Sequence, residues 1–422
     1  MSDSPRPAGP PSPSGAPPVK TSAGKLAVLM ATAFMDMVGV LMILPLLPFY
    51  AKHMGAGGKE VGLLVSSFSI AQLLMAPVWG RLSDHYGRRP ALMVGMTASA
   101  IAYVIFAYAD SLWLLFFSRL VQGAGGGTVS VIQAYVADAL EPKDRAKGLG
   151  WLSAATNAGV ALGPLLGALA LRWGPHAPGL TAAALSVLNI GFAWRFLTES
   201  RDMVEAKAIR SKPRVAGRSR QAVLRVTQHP NEPASRLIWI YAIAIGAFQG
   251  STAILALFLA VRFGVTEKTI GFFFAYIGVL SVVTRALILG PAVDRFGEAK
   301  LSRIGLTLLA IGLALLPFMY PAANPLLTYL PLALAVALIP LGTAFTFPCV
   351  TSLLSRVVPS SERGLYMGVQ QSFGGAARVV FPVIYGYLFD RVIVLPFFLA
   401  AVLVAGTILL GLGMESYQTK TA

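Results

Sequence analysis

GRLSDHYGRRP, from Gly80 to Pro90, is a short run of charge between two apolar stretches, 60–80 and 91–109, and a second run of the same build, GPAVDRFGEAK, occupies 290–300. Each closes a long hydrophobic segment with the spacing Gly-x-x-x-Asp-x-x-Gly: Gly80, Asp84 and Gly87 in the first, Gly290, Asp294 and Gly297 in the second, 210 residues apart. A separate set, Arg145, Gly150 and Pro164, recurs as Arg363, Gly368 and Pro382 at a constant offset of 218. Two independent matches at nearly equal offsets predict a duplicated unit.

The composition says what that unit is made of. Of 422 residues 56% are hydrophobic and 12% charged, with a mean hydropathy of +0.69, more apolar surface than a water-soluble core absorbs. A spanning helix needs about 20 apolar residues. Twelve segments qualify, near 26–50, 60–80, 91–109, 111–138, 146–172 and 177–197, then 237–261, 269–293, 301–320, 326–355, 363–389 and 392–414. The expected fold is an all-α membrane protein with twelve transmembrane helices in two six-helix pseudo-repeats. Residues 1–25, rich in proline, read as a disordered cytoplasmic tail with no cleavable signal, 26–197 as the first bundle, 198–236 as a basic linker, 237–414 as the second bundle and 415–422 as a tail.

The formal charge of +16 raises the question of nucleic acid, and its distribution answers it. If the N-terminus is cytoplasmic, 25 of the 34 Lys and Arg fall in the cytoplasmic segments, 6 in the outer loops, and Arg119, Arg285 and Arg378 inside spans. That bias predicts both termini inside a cell (inner) membrane, with the lipid bilayer rather than nucleic acid as the partner of the basic loops. The lone Cys349 permits no internal disulfide, and His53, His85, His176 and His229 show no metal-ligand spacing. The glycines Gly123 to Gly127 are not a phosphate loop, because no G-x-x-x-x-G-K-[S/T] follows; they are read as small residues within a helix. With no nucleophile–base pair or cofactor fingerprint either, neither an enzyme nor a bound cofactor is expected, and transport would draw on gradients rather than ATP.

These stretches resemble the major facilitator superfamily. GRLSDHYGRRP looks like its loop 2–3 signature, SRLVQGAGGG (Ser118 to Gly127) like its helix 4 motif with Arg119 at the intramembrane basic position, and GVALGPLLG (Gly159 to Gly167) like its helix 5 antiporter motif. Asp36 through Pro48 resembles the helix 1 motif of twelve-helix drug/proton antiporters, tetracycline-efflux-like exporters being the nearest group. His85 and Ala168 depart from the usual residues, which bears on the subfamily. The resemblance implies alternating access, and for the helix 5 motif exchange rather than symport. On packing grounds alone, Gly159, Gly163 and Gly167 form one small-residue stripe, and Pro164 bends the helix.

Asp36, about ten residues inside its apolar segment, costs roughly 2.5 to 3.5 kcal/mol when ionised at the centre of a spanning helix. Counting along the spans puts it about 15 Å from one edge of the bilayer core and Arg119 about 12 Å from the other, so the two are expected at similar depth and within reach of each other. Burial and a nearby guanidinium act oppositely on a carboxyl, which suits Asp36 to carry a coupling proton under the control of Arg119; a static ion pair fixing the first span to the fourth is the other reading. The interior then keeps an excess of +2, with Arg285 expected to snorkel to the interface. Met35, Gln133, Asn157, Asn189, Tyr241, Gln249, Tyr276, Gln370 and Arg378 are the candidate cavity residues. At the cytoplasmic face, Asp84 is expected to meet the start of the eleventh span near Arg363, Asp294 to meet Arg145, and Arg88 to reach Asp138, latching that face closed with Gly80 and Gly87 in the loop.

The expected function is a monomeric secondary transporter exporting an amphipathic small molecule against protons. Exchange or symport of an organic anion stays open, as does a receptor that keeps the fold without cycling.

Overall fold

The computed structural model describes residues 23–140, 142–199 and 218–417. Residues 1–22 of the expected tail, 200–217 of the linker and 418–422 therefore lie outside it, and 23–25, expected in the tail, open the first helix. All regular structure among the described residues is helical. In the first half these are α1 (Ala23–Ile43), α2 (Leu47–His53), α3 (Gly58–Tyr86), α4 (Arg88–Ala107), α5 (Leu112–Gly125), α6 (Thr128–Ala139), α7 (Pro142–Ala170) and α8 (Ala177–Phe196). The second half holds α9 (Arg218–Gln228), α10 (Pro233–Phe263), α11 (Glu267–Val283), α12 (Leu289–Phe296), α13 (Glu298–Leu315), α14 (Pro325–Val357), α15 (Arg363–Arg391) and α16 (Leu395–Leu410).

Ten helical stretches are long and apolar enough to cross a membrane. The other two expected spans are occupied by α5 with α6, interrupted between them, and by the 16-residue α16. Interruptions follow the local chemistry. Pro45 lacks an amide proton and ends α1, and Pro48 sits in the first turn of α2, where that proton has no helical partner. Gly126 and Gly127 separate α5 from α6, so the glycine run expected within one helix is instead a break. The Gln72 amide of α3 donates to Gly126 O and the Trp79 indole to Ala124 O, which satisfies carbonyls at the break. A π-helical turn, Thr284–Ile288, joins α11 to α12. By contrast α14 runs unbroken past Pro331, Pro340 and Pro348.

The duplicated glycines have a backbone reason. Gly87 and Gly297 both adopt positive φ, +102° and +72°, at the sharp entry to α4 and α13. Only glycine reaches that conformation without strain. At the first turn of α4, the Glu199 carboxylate accepts from the amides of Arg88 and Arg89.

Helices α1 to α8 form one bundle and α10 to α16 the other, and they meet through α3 against α15 and α7 against α11. At one end of the molecule this meeting is tight. The Asp390 carboxylate accepts from the amides of Gly58 (2.6 Å) and Lys59 (2.8 Å) at the start of α3, and a β-carbon at Gly62 or Gly386 would collide with the facing backbone. At Gly278 it would lie 2.5 Å from Ala161. At the opposite end, the one carrying the duplicated loops, Gly80, Gly150, Gly290, Gly364 and Gly368 have open space where a β-carbon would go. Among the described residues, the hydrogen bonds of Asp390 to α3 and of Ser66 to Val379 O join the bundles toward the first end, and none joins them at the end with the duplicated loops, which is the looser of the two. Of the linker, the described end is the helix α9, which buries Ala222 and Val226 and accepts the Trp239 indole proton at Val226 O.

Candidate functional site: a central cavity with a buried carboxylate beside it

The two bundles enclose a cavity of about 430 Å³ between them. Its apolar wall is contributed by residues such as Phe68, Phe248, Phe274 and Phe397. Among the polar residues expected there, Asn157, Gln249 and Arg378 line it, as do Arg119, Pro164 and Gln72. The size and the mixture suit a small amphipathic ligand.

Arg285 corrects an expectation. It does not snorkel to the interface but lines the cavity, where its NH1 group donates to Asn157 Oδ1 at 2.9 Å, joining α7 of one half to the π-helical turn of the other. The extra residue in that turn shifts the register of the side chains after it, and such single wide turns recur at functional sites.

The Asp36–Arg119 ion pair expected from depth is also corrected. Both residues are buried, at 5% and 2% exposure, yet no ion pair joins them. Asp36 Oδ2 instead accepts a hydrogen bond from the Thr128 hydroxyl at 2.8 Å, in the first turn of α6. The break at Gly126–Gly127 thus presents the start of a helix to a carboxylate, an arrangement the helix dipole favours. Arg119 lies over the Phe68 ring at 5.6 Å and faces the cavity. The buried Tyr103 lies within electrostatic reach of both: a β-carbon on Gly39 would lie 3.1 Å from its hydroxyl, which also accepts from Gln122 Nε2 at 3.1 Å. Thr128, Tyr103 and Gln122 were missed from sequence. Paired glycines inside a span were the available signal for Thr128; nothing comparable marked Tyr103.

Several candidates serve packing instead. Asn189 is buried and donates to Thr32 O, Gln370 is buried against Thr351, and the exposed Tyr276 donates to Ala333 O. Tyr241 stacks edge-on to Phe347 with its hydroxyl 3.5 Å from Arg378. Gln133 lies in a smaller hollow with Asn157 and Arg285, and Met35 lines neither space. The glycine stripe of α7 packs on α1: a β-carbon would lie 2.7 Å from Phe34 O at Gly159, 2.8 Å from Leu41 Cβ at Gly163, and would overlap Met42 O at Gly167. Pro164 also packs against Gly271 of α11.

At the looser end, Arg88 bridges Asp84 (3.1 Å) and Asp138 (3.0 Å) and donates to Ser83. The two cross-bundle pairs are not made: neither Asp84–Arg363 nor Asp294–Arg145 is an ion pair among the described residues, and Arg145 donates to Leu140 O. The helices expected to carry them do face each other, α3 with α15 and α7 with α11, and Gly80, Gly364 and Gly368 at this face have open space around them.

Two helical bundles around a central cavity, joined more tightly at one end than at the other, define a membrane transporter of the alternating-access kind. The chain belongs to the Major Facilitator Superfamily, whose sequence profile it matches over residues 29–382 and again over 237–419. It is 30% identical to tetracycline resistance protein, class C, of Escherichia coli over 85% of this chain and 88% of that protein. Multidrug resistance protein 2 of Bacillus subtilis (strain 168) is 27% identical over 93% and 95%. Among solved structures, the human organic anion transporter MFSD10 (TETRAN) aligns with a TM-score of 0.67 and 23% identity over 94% of this chain and all of that one. The nucleoside transporter NupG aligns at 0.72 and 14% over 94% and 100%. At these identities the structures speak for the fold alone.

Proposed function

We propose that this protein exports amphipathic drugs of the kind its relatives are named for, tetracyclines among them, in exchange for protons. The observation that carries this reading is Asp36: a buried carboxylate beside the cavity, held by a hydroxyl rather than by a cation. A carboxyl so placed can exist in either protonation state without stranding a paired arginine, and an ion pair would hold it in one. Asp36 is the proton carrier, Arg119 and Tyr103 set its electrostatic surroundings, and Asn157, Gln249 and Arg378 contact substrate from the cavity wall. The basic loops lie at the cytoplasm with both termini, in the inner membrane, so the looser end is the cytoplasmic one and the conformation faces inward. In the outward-facing state the bundles rock together at that end, bringing Asp84 toward Arg363 and Asp294 toward Arg145.

The test is tetracycline flux in proteoliposomes with and without an imposed pH gradient. The wild type concentrates the drug only with the gradient, and Asp36→Asn abolishes uphill movement while retaining binding. Uphill flux in Asp36→Asn, or flux indifferent to the gradient, overturns the proposal.

A further inference from the structure

We infer that, beyond the tetracycline-like drugs proposed above, this cavity also takes compounds that carry an acidic group, a carboxylate or sulfonate on an aromatic or alicyclic body, and that Arg285 and Arg378 hold that group. The inference goes beyond the export reading and rests on it.

Three guanidinium groups from three different elements line one cavity: Arg119 from α5, Arg285 from the π-helical turn and Arg378 from α15. No Asp or Glu lines it among the described residues. Their neutral partners are few and leave donors unused. Arg285 has one bond, to Asn157, and its buried Nε has none; Arg119 at 2% exposure also has a buried Nε without a partner. Arg378 has only a long contact to Tyr241. A guanidinium carries five N–H donors in a planar fork that matches a carboxylate, and it is always charged. Half-buried at the cavity wall with so few protein acceptors, Arg285 and Arg378 are stabilised most by an incoming anion.

Position divides the labour. Arg119 shares its half of the molecule with Asp36, each within electrostatic reach of Tyr103, so part of its charge is offset there. Arg285 and Arg378 belong to the other half and have no such acid facing them. Phe248 and Phe274 of the same half then receive the apolar body.

Purified full-length protein in detergent is titrated by equilibrium dialysis with three probes of similar size: 1-naphthylacetate, its methyl ester and the lipophilic cation tetraphenylphosphonium. The acid is expected to bind at least about tenfold tighter than the ester. Arg285→Gln and Arg378→Gln each lower acid affinity about tenfold and ester affinity by much less, so that the preference for the acid is lost, and the lysine variants recover part of it. An unchanged melting temperature shows that the variants are folded. Equal binding of acid and ester, tighter binding of the cation, or no binding of any probe at millimolar concentration overturns the inference. Gradient-driven tetracycline flux is measured on the same preparation: its loss with acid preference intact removes the export reading, and its persistence without acid preference removes only the inference.

Discussion

Asp390, near the end of α15, accepts hydrogen bonds from the Gly58 and Lys59 amides that open α3, so a carboxylate of one bundle caps a helix of the other. The contact joins charge to unsatisfied amide protons and to the positive end of a helix dipole. It holds the bundles together at that end, which makes it a latch on the conformation seen here.

Asp390→Ala should therefore shift the molecule toward its other state. Hydrogen bonds to a charged group contribute about 1.5 to 3 kcal/mol, so the population ratio should move by about tenfold or more. Thiol labelling of a cysteine introduced at Ser66, which is buried and donates to Val379 O where α3 meets α15, reads the shift; unchanged labelling would remove Asp390 from the gate.

The bare glycines at that end predict a different phenotype. Gly62→Leu and Gly386→Val push side chains into the facing backbone between the bundles, not within one. Transport should fall by at least about tenfold with normal membrane yield, because each bundle still folds.

Within one bundle the same change costs stability. Gly163→Val crowds Leu41 and Val38 O of α1, and overpacking of this kind costs about 1 to 3 kcal/mol. The melting temperature in detergent should drop, whereas Gly150→Ala, with open space around it, should leave it level or raise it.

Thr128→Val removes the hydroxyl that Asp36 accepts from and keeps the volume. Gradient-driven flux should drop about tenfold and Thr128→Ser should restore it; equal flux in all three would show that the hydrogen bond is dispensable.

The two cross-bundle pairs at the duplicated loops give a state-specific readout. Asp84→Cys with Arg363→Cys should not cross-link in the conformation seen here, where neighbouring glycines stand in open space, and should cross-link when Asp390→Ala favours the other state. Cross-linking independent of state would mean that the two ends never part.

Much of this was written in the chain. Apolar run lengths, the 210- and 218-residue offsets and the alternation of basic loops decided a duplicated helical membrane protein, because membrane insertion acts on local sequence: each span satisfies its own backbone. The cost of burying charge singled out Asp36 and Arg119 for the same reason. What the chain could not state was who faces whom. Depth placed Asp36 near Arg119, but a pair needs azimuth as well, and azimuth is set where helices pack. The break at Gly126–Gly127 brings Thr128 to Asp36, and Arg285, within the π-helical turn, donates to Asn157 of the other bundle. The looser end likewise withholds Asp84 from Arg363. Those relationships belong to the tertiary structure because each depends on the relative rotation of two helices distant in sequence, a quantity no single segment specifies.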